Sequence, residues 1–137
     1  MQATNLKTNH LSAPLGMDAG TLFLSWQCAG GVRQTAYEIE VTTGAGTLWT
    51  SGKVLGSGMH TETPAAVPPK TQGQWRIRLW DENDQPGAWS EAEFETGLAQ
   101  SDWQGVWVCP ETKEPDIDCT DAINAFAKPN WEQKQAA

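Results

Sequence analysis

Apolar and polar residues alternate without a break along residues 74–80. One face of an extended chain carries Trp75, Ile77 and Leu79, and the other face carries Arg76, Arg78 and Trp80. A period of two in aromatic and β-branched residues predicts a strand with one buried face. The acidic run 81–87 is rich in turn formers, and a second strand follows from Trp89. The pattern therefore predicts a β-hairpin over 74–91 with an acidic tip.

Two earlier stretches, 21–27 and 35–43, alternate in the same way. A helix would not separate Glu38 and Glu40 from the apolar residues beside them, so these stretches are predicted to be strands. Shorter extended segments complete the set at 5–8, 47–51, 59–63 and 89–96. Short strands separated by turn signals about every 8–12 residues are typical of a β-sandwich. The sequence predicts an all-β fold, a seven-stranded antiparallel sandwich of the fibronectin type III or immunoglobulin-like class.

This register divides the strand residues into a buried set and an exposed set. The residues predicted to be buried are Trp26, Tyr37, Ile39, Val41, Trp75, Ile77 and Leu79. The residues predicted to be exposed are Glu38, Glu40, Arg76 and Arg78. A slip of one residue would exchange the two sets, so their burial tests the register.

Length and charge limit the classes of partner. A chain of 137 residues has room for one domain with a core of its own. Its net charge of −8 argues against nucleic acid or an anionic membrane as a partner. No run approaches the roughly 20 apolar residues that cross a bilayer. No basic start followed by an apolar run is visible after Met1, so a cytoplasmic location is expected.

The cysteines are Cys28, Cys109 and Cys119, an odd number without CxxC spacing. Reduced thiols are the expectation for such a set in a cytosolic protein. A bridge between Cys109 and Cys119 would be permitted in an oxidising compartment, and the sequence leaves that alternative open.

Five blocks of the chain resemble the N-terminal module of bacterial α-L-rhamnosidases. They are PLGMD (14–18), RQTAYEIEV (33–41), LWTSGKV (48–54), WRIRLWDENDQPGAWSE (75–91) and SDWQGVWV (101–108). More generally, four segments look like strands B, C, F and G of a fibronectin type III module: LFLSW, TAYEIEV, WRIRLWDENDQPGAWSE and FETGL. The resemblance covers roughly residues 5–108 and implies a fibronectin-like fold. The chain is predicted to form a sandwich over 1–100, followed by an exit strand and tail over 101–137.

The resemblance also limits the chemistry expected of this chain. In such enzymes an inverting hydrolysis uses two carboxylic residues on a separate helical-barrel domain. No position here matches that acid or base, so no catalytic residue is carried over. After Val108 the chain departs from the family, where a second sandwich is expected. The tail instead predicts a short helix at 120–128, with Thr120 as its N-cap and Pro129 as its stop.

The acidic hairpin tip resembles the start of a calcium loop. Asp81, Asn83 and Gln85 alternate as the first ligands of such a loop do. The sixth and twelfth positions, however, hold Pro86 and Ala92, where a glycine and a bidentate acid are needed. The tip is therefore predicted to be a solvated hairpin loop.

The other polar candidates are Glu91, Glu93, Glu95, His10, His60, Ser25 and Ser90. The three glutamates share one strand face, whereas glycoside hydrolysis needs two acids on either side of a cleft. The histidines lack metal-ligand spacing, and the serines lack a nucleophile elbow. No catalytic residue, metal or cofactor is predicted.

Eight tryptophans are the unusual feature of the composition. Those in phase with the apolar faces are predicted to be core. The tryptophans predicted to form a surface are Trp49, Trp80, Trp103 and Trp107. Aromatic residues concentrate at interfaces, so docking against a neighbouring domain or a second copy of the chain is favoured. Stacking on a carbohydrate is the alternative, because exposed indoles also pack on the apolar faces of sugars.

Overall fold

Eight strands form two antiparallel sheets in the computed structural model, which describes residues 1–106 and 108. The strands are β1 Gln2–Thr8, β2 Phe23–Ala29, β3 Ala36–Thr43, β4 Gly46–Thr50, β5 Val54–Leu55, β6 His60–Glu62, β7 Gln72–Trp80 and β8 Ser90–Glu95. One sheet has the order β1-β2-β6, and the other has the order β4-β3-β7-β8, with β5 also pairing with β3. The all-β sandwich prediction is confirmed.

The strand count is one higher than predicted because of β5. This strand has two residues, Val54 and Leu55, which pair with Tyr37 and Ala36 at the start of β3. A two-residue strand is too short to show a period, so the sequence pattern did not reveal it. Among the described residues the only helical element is a 3₁₀ turn at Gln100–Asp102. None of the described residues forms a helix long and apolar enough to cross a membrane.

Several predictions concern residues outside the described range. They are the surface role of Trp107, the state of Cys109 and Cys119, and the helix at 120–128. These stay predictions, as does the boundary between 1–100 and 101–137.

The longest ladder joins β3 to β7 over eight residue pairs, among them Ile39 with Ile77 and Val41 with Trp75. Those side chains face the other sheet and are fully buried. The core they share with that sheet consists of Ala3, Met17, Leu22, Leu24, Trp26, Ile39, Val41, Val67, Trp75, Ile77, Leu79 and Phe94. Six of the seven predicted core residues are therefore confirmed. Tyr37 is half-buried at the margin of the core, where its ring lies 5.0 Å from that of Trp26.

The two ends of the sandwich carry different loops. The hairpin end holds the β2–β3, β5–β6 and β7–β8 connections. The exit end holds the β1–β2, β3–β4 and β6–β7 connections and the residues that follow β8. The chain therefore leaves the sandwich at the end opposite its acidic hairpin.

Candidate functional site

Trp80 lies on the outer face of the larger sheet, as its phase predicts, but the residue is only 7% exposed. The Lys53 ammonium lies 4.8 Å from the ring centroid, and the Arg78 guanidinium lies 4.9 Å from it. Both cations attract the negative face of the indole and shield it from water. The expectation that Trp80 offers a free ring for docking or sugar stacking is therefore corrected.

Trp89 belongs to the same outer face and was not predicted to do so. Arg76 and Arg78 lie over its ring, at 4.5 and 4.8 Å from the centroid. The cation–indole ladder consists of Arg76, Trp89, Arg78, Trp80 and Lys53. The signal was available in the hairpin: Ile77 pairs with Ser90, and one step further along the two strands sets Arg78 opposite Trp89.

The charged residues of this face are half-buried, which corrects the prediction that they are mostly exposed. Arg78 pairs with Glu38 at 2.6 Å, and Arg76 pairs with Glu40 at 2.5 Å. Each arginine guanidinium therefore both stacks on a tryptophan ring and pairs with a glutamate. The face is consequently occupied by its own side chains and offers no open aromatic platform.

The acidic hairpin uses its carboxylates to tie loops together. Asp81 accepts from the backbone amides of Asn83 and Gln85, at 2.9 and 3.0 Å. Glu82 accepts from the backbone amides of Val32 and Arg33, at 2.9 and 3.3 Å. Asp84 pairs with the Lys53 ammonium at 2.6 Å. The backbone amides bound to Glu82 lower the pKa of that carboxyl. The alternation that resembles a calcium loop thus reflects an Asx turn and two anchors to neighbouring loops.

The two histidines contact the same aromatic ring, and two of the three glutamates are exposed. His10 and His60 stack on Phe23, with ring centroids at 4.8 and 5.5 Å. Glu91 and Glu93 are exposed on β8. In residues 1–106 and 108, no group of three or more His, Cys, Asp or Glu side chains is placed to hold a metal ion.

The remaining polar candidates have structural partners. The Glu95 carboxylate accepts a bond from the Gln72 amide at 3.1 Å. The Ser90 hydroxyl donates to the Ala3 carbonyl at 2.7 Å, which joins the two sheets. Ser25 lies half-buried in β2 opposite His60. The Glu95 and Ser90 bonds therefore connect neighbouring strands, and Ser25 lies at a paired position of β2 and β6.

Gln34 is a buried polar residue that nothing in the alternation pattern singled out. Its amide oxygen accepts from Trp26 Nε1 at 3.0 Å and from the Cys28 thiol at 3.2 Å. Its amide nitrogen donates to the Gly56 and Gly58 carbonyls, at 3.1 and 2.9 Å. Burial raises the pKa of the Cys28 thiol. Gln34 therefore fastens the β5–β6 connection to the core at the hairpin end.

The exit end carries the exposed apolar area of interest. Trp103 is 68% exposed, Leu98 55% and Leu15 82%, and these three residues are named the exit-end surface. Leu98 and Trp103 line one shallow depression of about 410 Å³, and Leu98 also lines a neighbouring one of about 650 Å³. Leu15 lines a third depression of about 470 Å³. Trp49, predicted to be part of a surface, is half-buried and packs against the core.

Residues 3–100 match the model of a protein family described as "Rha78A-like, N-terminal immunoglobulin domain". The chain belongs to this family. It is 34% identical over 134 residues to an α-L-rhamnosidase of Streptomyces avermitilis and 28% identical over 136 residues to one of Alteromonas sp.. These matches cover 86% and 89% of this chain but only 13% and 15% of the relatives' own lengths.

Solved structures give the same result. The α-L-rhamnosidase from Dictyoglumus thermophilum matches with a TM-score of 0.69 and 29% identity, over 76% of this chain and 13% of that one. The Streptomyces avermitilis α-L-rhamnosidase complexed with L-rhamnose matches with a TM-score of 0.66 and 30% identity, over 75% of this chain and 11% of that one. The resemblance seen in the sequence is confirmed, and it concerns the N-terminal immunoglobulin-like domain alone.

Proposed function

We propose that this chain is a non-catalytic accessory module of an α-L-rhamnosidase-like protein, and that it docks a neighbouring domain through the exit-end surface. The observation that carries the proposal is the position of that surface. Leu15, Leu98 and Trp103 are exposed at the end where the chain leaves the sandwich. Chain connectivity therefore favours a domain of the same polypeptide as the partner of this surface.

The size of the surface favours a tethered partner over a second copy. Full burial of one large apolar side chain contributes about 1.5–3 kcal/mol, and roughly two-thirds of that is still available at each of the three residues, so the total is about 3–6 kcal/mol. Free association costs an estimated 4–15 kcal/mol in lost translational and rotational freedom. A neighbouring domain in the same chain avoids most of that cost through its high effective concentration.

The non-catalytic part of the proposal rests on the requirements of the reaction. Glycoside hydrolysis needs a proton donor and a second carboxylate on opposite sides of one bond. The carboxylates of the hairpin tip are bound by the protein's own donors, and those of β8 lie along an open strand. We expect the purified chain to release no aryl alcohol from an aryl α-L-rhamnoside above background. Robust turnover that a single Asp or Glu substitution abolishes would contradict this.

Carbohydrate binding is the second candidate, and one observation favours it. Trp103 shares its depression of about 410 Å³ with Asp18 and Gln100. An indole face together with a carboxylate and an amide is a combination suited to a sugar ring, because the indole packs on C–H groups while the polar groups bind hydroxyls.

Two variants separate docking from sugar binding. Trp103→Ala removes an indole, whereas Leu98→Ala removes apolar area of the same surface without touching an aromatic ring. If the surface docks protein, both variants weaken docking and L-rhamnose causes no saturable change in tryptophan fluorescence. A saturable response to L-rhamnose that is lost in Trp103→Ala and kept in Leu98→Ala would replace docking by carbohydrate binding. A concentration-dependent dimer in sedimentation, lost in both variants, would identify a second copy as the partner.

A further inference from the structure

Lys70 occupies a backbone position where glycine or asparagine is usual. It follows Pro69 in the tight turn that leads into β7, and its φ is +56°. A turn with proline first and a left-handed residue second fits type II, in which glycine is preferred because a Cβ is disfavoured at that φ. A lysine at this position calls for an explanation in its side chain, since the backbone would favour another residue.

The turn is clamped onto the end of β8. The buried Thr96 hydroxyl accepts from the Thr71 amide at 2.9 Å and donates to the Pro68 carbonyl at 2.7 Å. The Lys70 amide donates to the Gly97 carbonyl at 2.9 Å. Hydrogen bonds therefore fix the Pro69–Lys70 turn to Thr96 and Gly97, the residues that follow β8. The backbone position from which the Lys70 side chain extends is fixed as a result.

That side chain reaches the 3₁₀ turn through which the chain leaves the sandwich. Lys70 Nζ lies 2.8 Å from Asp102 Oδ1, and Asp102 Oδ2 accepts from the Ala99 amide at 3.0 Å. The Lys70 ammonium, followed by the Ala99 amide, holds the pKa of Asp102 below its usual range. Asp102, the last residue of this exit turn, is thus bound both to Ala99, the residue before the turn, and to Lys70 of the β6–β7 connection.

We propose that Lys70 and Asp102 form a latch that holds the 3₁₀ turn at Gln100–Asp102 against the β6–β7 connection, and so fixes the backbone that leads to Trp103. Trp103 is the next residue, and its amide donates to the Gln100 carbonyl at 3.3 Å. An exposed ion pair contributes little to global stability. A small contribution is enough to hold this turn, because a short turn has few alternative conformations. Backbone bonds from Asp102 to Ala99 and from Trp103 to Gln100 already restrict it. The inference goes beyond docking and holds whether or not a partner covers Trp103.

Amide hydrogen exchange of the full chain tests the latch, because the Asp102 and Trp103 amides donate to Ala99 and Gln100 within the exit turn. The main variant is Lys70→Gly, which suits the left-handed backbone and removes the whole side chain together with its ammonium. We expect its thermal stability to equal or exceed that of the parent, while protection of these two amides falls about two- to fivefold, the range that an exposed ion pair supports. Lys70→Arg keeps the cation and should keep the protection.

A matched control lies at the hairpin end, where Lys53 makes the same kind of exposed pair with Asp84. Lys53→Ala should leave the exit turn unchanged. In the parent protein, 1 M salt should also reduce protection of the exit turn, since the screening length falls to about 3 Å, and this arm needs no variant to fold. Unchanged protection in Lys70→Gly, or an absence of any salt effect on this turn, would overturn the proposal.

Discussion

Trp75 and Thr8 are joined by a buried hydrogen bond between the two sheets, and removing the indole should be the most damaging single change in the core. Trp75 is fully buried, and its Nε1 donates to Thr8 Oγ1 at 2.9 Å. Truncation of a buried tryptophan to alanine costs about 3–5 kcal/mol, because apolar burial is lost and a cavity remains. The free energy of unfolding of native proteins is about 5–15 kcal/mol. If this protein is at the lower end of that range, Trp75→Ala should leave little net stability.

Urea unfolding followed by circular dichroism measures this without relying on the fluorescence of the deleted residue. The midpoint should fall while the slope with urea stays constant, which indicates a change of stability and not of the unfolded state. A loss below about 1 kcal/mol would refute the assigned register, because a slip of one residue would place Trp75 on the outer face.

The hydrogen bond itself is tested by Thr8→Val, which keeps the shape of the side chain and leaves the buried indole N–H without its acceptor. We expect a loss of about 1–3 kcal/mol. Combined with Trp75→Phe, the two changes should be non-additive, with a coupling of at least about 0.5 kcal/mol. Thr4→Val is the control on the same strand, since Thr4 is exposed and should change stability by less than about 0.5 kcal/mol.

Three further predictions concern other parts of the sandwich. A Cβ on Gly73 would lie 2.9 Å from both Phe94 Cε2 and the Thr42 carbonyl oxygen, so Gly73→Ala should cost about 1–3 kcal/mol in urea unfolding, and an unchanged midpoint would contradict this packing. Gln34→Leu should cost about 1–3 kcal/mol because it orphans buried donors, and a neutral result would be inconsistent with its role. The Val32 and Arg33 amides lower the folded-state pKa of Glu82, so its tie to the β2–β3 connection should be fully present above the ordinary glutamate pKa and be lost as pH falls through the lowered value. A Val32 protection factor, taken relative to the intrinsic exchange rate at each pH, that does not fall in acid would refute it.

The period of two was sufficient to predict the faces of the central strands, because burial of one face is decided by local alternation. Ile39, Val41, Ile77 and Leu79 are buried as that pattern requires. Tyr37 shares their phase but lies at the margin of the core and is only half-buried. Its burial depends on how far the opposite sheet extends over it, which local alternation does not indicate.

The outer face shows what local alternation leaves undecided. It indicates that Trp80 points away from the core, but not that Lys53 and Arg78 cover it. Lys53 is 27 residues away along the chain, and its position depends on how β4, β5 and the hairpin come together. The prediction that Glu38, Glu40, Arg76 and Arg78 are mostly exposed was wrong for a related reason. Long side chains on an outer sheet face can cover one another, and alternation does not show this.

The exit-end surface was predicted only in part. Trp103 was singled out from its composition and place after the last strand, and it is exposed. Leu15 and Leu98 were not, because the β1–β2 connection and the end of β8 are brought together by backbone bonds such as that from the Met17 amide to the Glu95 carbonyl. Irregular segments of this kind have no periodic pattern from which their neighbours in the fold can be predicted.

Docking is tested most directly by placing this chain in front of the Streptomyces avermitilis α-L-rhamnosidase in exchange for the enzyme's own N-terminal module, and following thermal unfolding by calorimetry. If the exit-end surface docks the next domain, the module should unfold about 5 °C or more higher in the fusion than alone, since 1 kcal/mol shifts a domain of this size by about 4–8 °C. Trp103→Ala should reduce that rise by about a third, its share of the surface, and leave the isolated chain unchanged. A module that unfolds at the same temperature alone and in the fusion would contradict docking.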